Sequence, residues 1–306
     1  IEPAFSEVLD IVKPDAVHFH SIQGLGVTML EMCAERQIPV IVTTHDYWWL
    51  YEHQFILSYQ DKAPADERDK NKIYYNQKKR DALSLASVLL APGAFCRDLY
   101  KSEGFKEISV NKNGVNYPAV NIERTKPGTL RFGYLGGNTD IKGFHLLKAA
   151  FKNISAEDAA LTIIDNTLAL GFSSFSESDL AKFKNYQLAP AFSQETMDDF
   201  YNSIDVLIYP TQSKESFGLT VREALVRNVW VITSDAGGAA EDIIEGRNGT
   251  IIPFNNNAEE LEKAIVATIA HFRQLPAGKM ENLPHSHIRS FDEQYEELVE
   301  IYRSAH

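Results

Sequence analysis

Short apolar runs alternate with helical patterns along the whole chain, and this alternation constrains its fold more than any other feature. Apolar runs of this length that are separated by helices are typical of parallel strands covered by helices. A segment at 111–128, with Asn113-Gly114 and Pro127-Gly128, predicts a linker between two such halves. We therefore expect an α/β fold with two parallel sheets. The predicted strands lie at residues 15–20, 38–44, 87–91, 130–135, 161–164, 204–210 and 229–233.

The composition narrows the possible partners and the location. The 306 residues, 44% of them apolar, are enough for two domains. A net charge of −12 argues against nucleic acid as a partner. No apolar run approaches the ~18 residues of a membrane span. Cys33 and Cys96 lack the spacing of a metal site and fit a reducing compartment, so we expect a cytoplasmic protein.

Two segments carry further expectations about the organisation of the chain. The chain opens on Ile1, and its first residues have the pattern of a helix that feeds a strand. We therefore expect a piece of a longer protein, in which the first domain lacks its start. Residues 60–79 are polar and dense in charge, which predicts a surface excursion or a mobile loop. Helices are predicted at 27–36, 258–272 and 291–302.

The most informative motif is a pair of carboxylates, Glu215 and Glu223, on either side of Phe217-Gly218-Leu219. An apolar run ends just before the pair, and a helical pattern begins near Gly218. A helix N-terminus, with its free N–H groups and positive dipole end, is the usual receptor of a diphosphate. The two acids, the second about two turns into the helix, could then hold sugar and ribose hydroxyls. The alternative is a solvated helix face on which the two glutamates bind no ligand.

Three other loops fall at predicted strand ends, where open α/β sheets bind ligands. The loop at 136–143 combines glycines, which let the backbone approach a phosphate, with the positive charge of Lys142. A solvated loop lysine is the alternative. The loop at 234–241 predicts a second helix start with an acid in its first turn, for which simple capping is the alternative. His18 and His20 point to one strand face, as site residues or as structural histidines.

In this order, the motifs resemble those of the retaining glycosyltransferases of the GT-B fold, family four. The resemblance runs over nearly the whole chain and implies two Rossmann-like domains that face a cleft, the first of them incomplete. It implies an N-terminal, acceptor-side domain at 1–120 and a C-terminal nucleotide-sugar-binding domain at 121–285. A C-terminal helix at 286–306 would pack back on the first domain. The motifs lie at 15–20, 44–48, 91–98, 113–115, 136–143, 215–223, 237–241 and 249–253.

The resemblance also implies a role for each site residue. His20 would lie beside the donor sugar, Lys142 would neutralise the donor diphosphate, and Glu215 would contact hydroxyls of the transferred sugar. Glu223 would bind the ribose hydroxyls, and the base would lie near residues 188–191. Two short segments would approach the sugar and the phosphates: Gly136, Gly137 and Asn138, and then Phe217, Gly218 and Leu219. The family often has an arginine where this chain has Gly137, which removes one cation that Asn138 and backbone N–H groups partly replace.

These residues predict a retaining transfer from a nucleotide-diphosphate sugar, UDP- or GDP-linked, to a hydroxyl acceptor on a glycan, a lipid-linked molecule or a small molecule. The resemblance favours same-face attack, and the chain has no Asp-x-Asp motif, so we expect neither a metal nor a cofactor. We also expect peripheral contact with the inner face of a membrane through the missing N-terminal region. A GT-B nucleotide-sugar epimerase and a non-catalytic nucleotide-sugar-binding fragment are the alternatives. An NAD-dependent oxidoreductase is disfavoured because no Gly-x-Gly-x-x-Gly follows a strand.

Overall fold

The computed structural model describes residues 1–57, 70–120, 122–278 and 280–305, and it divides into two compact units. The first unit comprises Ile1–Gly114, Glu215–Phe217 and Arg289–His306, and the second comprises Val115–Lys214 and Gly218–Ile288. Each unit is built on one parallel sheet. The predicted α/β class with two parallel-sheet, Rossmann-like domains is therefore confirmed.

The first unit has a four-stranded parallel sheet in the order β1-β2-β3-β4. All four residues of its second strand are buried, as expected for a strand that is covered on both faces. Cys33 and Cys96, from two helices, are both buried in this core and form no disulfide. The elements are β1 (Val17–Phe19), β2 (Val40–Thr43), β3 (Val88–Ala91), β4 (Ile108–Val110), α1 (Glu2–Val12), α2 (Thr28–Glu35), α3 (Lys70–Leu83) and α4 (Ala94–Ser102).

The helix α3 corrects the loop predicted at 60–79. Residues 70–79 are helical, and residues 60–69 lie outside the described part of the chain. Lys79 is only 8% exposed, and its Nζ donates to the carbonyl oxygens of Trp48 and Tyr51, both at 2.5 Å. Burial lowers the pKa of Lys79 to about 8. The high charge density had indicated a solvated segment, whereas one of these charges holds the loop after β2 from inside the core.

The second unit has a six-stranded parallel sheet in the order β10-β9-β8-β5-β6-β7. Its central strands are buried at nearly every position, which suits strands covered by helices on both faces. The strands are β5 (Leu130–Tyr134), β6 (Ala159–Asp165), β7 (Tyr186–Pro190), β8 (Val206–Tyr209), β9 (Trp230–Ser234) and β10 (Gly249–Ile252). The helices are α5 (Phe144–Ala150), α6 (Glu177–Leu180), α7 (Met197–Ser203), α8 (Leu219–Leu225) and α9 (Ala258–Gln274).

The last helix, α10 (Phe291–Ser304), belongs to the first unit. It begins in a capping box formed by Ser290 and Glu293. The side-chain oxygen of Gln294 accepts the N–H of Gly114 at 2.8 Å. A Cβ on Gly114 would lie 2.1 Å from the carbonyl oxygen of Ser290, so this close approach requires glycine. These contacts fix the start of α10 against the segment that follows β4.

Candidate functional site

The strand order of the second sheet brings two loops together. β5 and β8 are neighbours although β6 and β7 come between them in the chain, so the order reverses at this point, where open α/β sheets bind ligands. The N–H of Gln212, after β8, donates to the carbonyl oxygen of Ile141, after β5, at 2.7 Å. Gly143 has a φ of +77°, and a Cβ on it would lie 2.1 Å from the carbonyl oxygen of Pro210. The two loops therefore form one continuous surface at the reversal.

Two tyrosines at the ends of β5 and β8 hold the loop that carries Lys142. The Nζ of Lys142 lies 3.3 Å from the hydroxyl of Tyr209 and 5.5 Å from the centre of its ring. The hydroxyl of Tyr134 lies within hydrogen-bonding distance of the carbonyl oxygens of Gly137 and Lys142, at 3.1 and 3.3 Å. An ammonium group is thus fixed at the carboxyl edge of the sheet, where it can bind an anion.

The three residues predicted to precede Lys142 in the site differ in their surroundings. Gly136 has no room for a side chain, because a Cβ would lie 2.1 Å from the Tyr134 hydroxyl. Gly137 has a φ of +62° with open space around it. The amide of Asn138 donates to the carbonyl oxygen of Ser174 at 3.0 Å and to Asp179 at 3.1 Å. The Asn138 side chain therefore braces a neighbouring loop.

The segment at the start of α8 carries the second half of the carboxylate motif. Gly218 has a φ of +81°, and a Cβ on it would lie 2.8 Å from Cα of Ala239. The helix begins at Leu219, which is exposed, and Glu223 is its fifth residue, little more than one turn in. The predicted distance of two turns is therefore wrong. The hydroxyl of Tyr201 donates to the Glu223 carboxylate at 3.2 Å, and burial raises the pKa of Glu223.

The other half of the motif belongs to the first unit. Glu215, Ser216 and Phe217 group with that unit, whereas the chain on either side groups with the second. The hydroxyl of Ser216 donates to the carbonyl oxygen of His45 at 2.5 Å, and Phe217 is buried. The two glutamates of the motif are therefore carried by different units.

Three histidines gather at the carboxyl ends of β1 and β2 in the first unit. His20 is exposed, and its Nδ1 lies 2.9 Å from Nε2 of His45. The ring of His18 lies 4.1 Å from that of His20. The two nitrogens of His18 contact the hydroxyls of Tyr302 and Thr43 at 2.7 and 2.8 Å. The sequence had indicated His20 alone as a site residue, although His45 follows β2 as His20 follows β1.

The histidines of this cluster are neutral at physiological pH. Burial, with smaller contributions from His20 and His45, lowers the pKa of His18 to about 4. Burial also lowers the pKa values of His20 and His45. A neutral imidazole has one donor and one acceptor nitrogen, so His20 and His45 share one N–H between them. The pair can offer a hydrogen bond to a ligand without carrying a charge.

The loop after β9 differs from its prediction. Residues 238–242 form turns, so the second helix start predicted at 234–241 is wrong. The paired glycines and the following acid have the composition of a helix start, but side chains from α8 hold the backbone in turns. The starts of α5, after Gly143, and of α8, after Gly218, adjoin the loops at the reversal.

Two searches of the described residues concern metal sites and membrane spans. Within residues 1–57, 70–120, 122–278 and 280–305, no group of three or more His, Cys, Asp or Glu side chains could hold a metal ion. In the same ranges, no helix is both long and apolar enough to cross a membrane.

The sequence matches two families of known proteins. The family described as Glycosyl transferases group 1 matches residues 121–271, and the family described as Glycosyltransferase Family 4 matches residues 3–117. The chain belongs to the group 1 glycosyltransferases, and its fold is the GT-B fold of that group.

Individual relatives agree with this assignment. The capsular polysaccharide biosynthesis glycosyltransferase CapM of Staphylococcus aureus is 32% identical over 139 residues, which are 44% of this chain and 36% of CapM. Sucrose-phosphate synthase from Thermosynechococcus elongatus superposes with a TM-score of 0.72 at 15% identity, over 99% of this chain and 76% of that one. HepE from Anabaena, solved with UDP and glucose, gives 0.66 at 16% identity, over 99% and 81%. The chain spans 36–62% of the length of the curated relatives it matches.

Proposed function

We propose that the second unit binds a nucleotide-diphosphate sugar and that the protein transfers this sugar, with retention, to a hydroxyl acceptor. The observation that carries the proposal is the junction of the loops after β5 and β8 at the reversal of the sheet. One loop supplies the ammonium of Lys142, and the other leads into α8 with Glu223. A cation and a carboxylate on neighbouring loops suit the phosphate and ribose parts of one ligand.

The leaving diphosphate requires charge stabilisation as the glycosidic bond breaks. Fixed cations and backbone N–H groups supply it without reorganisation during the reaction. In our proposal Lys142 supplies the charge, while Gly136, Gly137 and Gly218 let the backbone approach the phosphates. The transfer needs no metal in this scheme, and the acceptor attacks from the face that the diphosphate leaves.

The remaining roles concern the hydroxyls of the donor. The Glu223 carboxylate accepts hydrogen bonds from the ribose, and its partner Tyr201 keeps it oriented. For Glu215 we propose contact with hydroxyls of the transferred sugar, and for His20 a position beside that sugar. The proposed base is uracil or guanine, near residues 188–191. HepE, which shares the fold, was solved with UDP and glucose, which supports a UDP-linked donor.

The proposed setting is polysaccharide biosynthesis on the cytoplasmic side of a membrane. CapM, the relative with 32% identity, is named for capsular polysaccharide biosynthesis. Peripheral contact with the inner face of a membrane is part of the proposal. The acceptor is a hydroxyl-bearing glycan, lipid-linked molecule or small molecule.

The first test is titration calorimetry of Lys142→Ala with UDP, UMP and GDP. Loss of a charge-assisted contact should weaken diphosphate binding by about 1.5–3 kcal/mol and monophosphate binding by less. Lys263→Ala, which removes an exposed lysine on α9, is the matched control and should bind as the parent does. A Lys142→Ala protein with unchanged affinity for UDP and GDP would refute the proposed phosphate site.

The second test separates transfer from the two alternatives. Glu215→Ala should leave UDP binding nearly intact while transfer falls strongly, because its partner is the sugar. Turnover of donor to an isomeric sugar nucleotide without any acceptor would identify an epimerase instead. Donor binding with neither transfer nor isomerisation would identify a binding protein.

A further inference from the structure

Arg222 is a fully buried arginine that joins two loops of the second unit. It lies on α8 and is 0% exposed. Its Nη1 donates to the carbonyl oxygen of Gly238 at 2.6 Å and lies 3.4 Å from the carbonyl oxygen of Gly218. Its Nε donates to Asp242 at 2.7 Å, and Nη2 lies 3.5 Å from Glu241. One guanidinium thus contacts both the residue before α8 and the turn after β9.

The packing around Gly218 shows why these contacts matter. A Cβ on Gly218 would lie 2.8 Å from Cα of Ala239, so the turn after β9 lies directly against the start of α8. Arg222 fixes both sides of this contact, since Gly218 and Gly238 each offer it a carbonyl oxygen. The Gly218 carbonyl oxygen also accepts the N–H of Val221 at 3.1 Å, so the Gly218 peptide leads directly into the first turn of α8.

A simple charge pair does not account for this arrangement. Asp242 is also buried, and a buried ion pair is often no more stable than apolar residues of the same volume. If Arg222 served only to neutralise Asp242, contacts from its guanidinium to the carbonyl oxygens of Gly218 and Gly238 would not be required. The planar fork of arginine can hold several acceptors in fixed directions, which a lysine ammonium cannot reproduce.

We propose that Arg222 is a positioning residue for the donor diphosphate. It holds in one orientation the Gly218 peptide, at which the backbone approaches the phosphates in the proposed donor site. It does so by tying that peptide to the turn at 238–242. This inference rests on the proposed donor site, and it adds a residue that touches neither the substrate nor the reacting atoms.

The double variant Arg222→Met/Asp242→Asn tests whether Arg222 positions the Gly218 peptide or only neutralises Asp242. The double variant removes the buried charge of both partners, so its loss in melting temperature should come only from Glu241 and the two glycine carbonyls, which lose the guanidinium. Its affinity for UDP should nevertheless fall by about tenfold, since small displacements of binding groups are costly. Arg222→Lys keeps a charge for Asp242 without the fork, so its melting temperature should fall because the Gly238 carbonyl oxygen loses its donor, and its folded form should show the same loss of UDP affinity.

A second buried arginine provides the matched control. Arg124 donates to the carbonyl oxygens of Ile204 and Tyr201, before the start of β8 and therefore at the opposite end of the strand from Gly218. Arg124→Met should lower the melting temperature without changing the UDP affinity of the folded protein. If Arg222→Lys and the double variant bind UDP as the parent does, the positioning role is overturned. If the parent itself binds no nucleoside diphosphate, the donor site fails instead.

Discussion

The two sheets of this protein place functional groups in different ways. The six strands of the second sheet reverse their order between β5 and β8, so loops from both directions meet there. The four described strands of the first sheet follow one another in chain order. Its functional groups meet because β1 and β2 are simply neighbours, each followed by a histidine. In the second unit, the reversal of strand order brings the groups of the site together. In the first unit, they lie together because β1 and β2 are neighbours both in the chain and in the sheet.

The units also differ in charge at these places. The second unit presents Lys142, and the raised pKa of Glu223 reflects a buried carboxyl group. The first unit presents a neutral pair, His20 and His45, whose pKa values are lowered by burial. The second unit thus presents a positively charged group that can bind an anion, whereas the histidine pair of the first unit presents uncharged hydrogen-bonding groups.

The tryptophans let each unit be followed separately. Trp48 and Trp49 belong to the first unit, and Trp230 belongs to the second. Fluorescence of Trp230→Phe reports the first unit, and fluorescence of Trp48→Phe/Trp49→Phe reports the second. The stability measurements below are made on substitutions introduced into these two proteins.

The largest expected effect is that of Gly143→Ala, which changes the junction of the loops after β5 and β8 in the second unit. A Cβ would collide with the carbonyl oxygen of Pro210, and the φ of +77° disfavours any side chain. We expect a loss of about 3 kcal/mol in the free energy of unfolding of the second unit, together with weaker UDP binding. Urea unfolding followed by Trp230 measures the stability loss. Gly171→Ala is the control, with a φ of +87° but no atom within 4 Å, and it should cost about 1 kcal/mol. Equal losses in the two variants would contradict the close packing of the loops.

Glu223→Gln tests the ribose site with the next largest effect. A neutral amide accepts hydrogen bonds less strongly than a carboxylate, so UDP binding should weaken by about 1–3 kcal/mol. The carboxylate is the form that binds ribose, and burial raises its pKa. UDP affinity in the parent should therefore fall as the pH drops through that pKa, and Glu223→Gln should remove this part of the pH dependence. Calorimetry between pH 4.5 and 7.5 measures both. An unchanged affinity would reject the role.

The neutral histidines predict a loss of stability of the first unit as the pH falls. An unfolded chain protonates His18 near pH 6.5, whereas the folded protein does so only near pH 4. The stability from this group is fully present above pH 6.5 and is lost as the pH falls towards 4, by about 1–2 kcal/mol after allowance for partial exposure. Unfolding followed by Trp48 and Trp49 measures the loss. His18→Gln should flatten the dependence, and an equally steep one would contradict the assignment to His18.

The smallest effect is expected at Gly137, where the family resemblance predicts an arginine. Its φ of +62° lies in the left-handed region, and the space around it is open. Gly137→Arg should therefore cost about 1 kcal/mol of stability through the backbone alone and leave UDP affinity unimproved. Gly137→Asn, which tolerates this conformation better, should cost less. Thermal melts with and without UDP measure both quantities. Tighter UDP binding by Gly137→Arg would show instead that an arginine at this position can bind the diphosphate and that Gly137 only removes this cation.

The sequence predicted seven of the ten described strands, because their signal is local, and it missed β4, β7 and β10. Apolar runs at 161–164 and 229–233 correspond to β6 and β9, and the helices predicted at 258–272 and 291–302 match α9 and α10 within two residues. Each of these elements is set by its own hydrophobic pattern. The roles proposed for Lys142, Glu215 and Glu223 stay predictions, since binding has yet to be measured.

The errors arise where tertiary contacts override local patterns. Lys79 looked solvated because its neighbours are charged, yet two backbone carbonyls satisfy its ammonium inside the core. The turn at 238–242 looked like a helix start, yet Arg222 and Asp242 hold it in another shape. The pairing of His20 with His45 joins residues 25 positions apart. Such contacts depend on the strand order, which no single segment of the sequence encodes.

The burial of both cysteines has a practical consequence. The chain contains two cysteines, and neither Cys33 nor Cys96 is accessible to a thiol reagent in the folded protein. A cysteine introduced at Asp140, an exposed position between Asn138 and Lys142, would therefore be the one site of selective labelling. An environment-sensitive fluorophore attached there would turn the loop after β5 into an optical sensor that distinguishes sugar nucleotides in a screening plate.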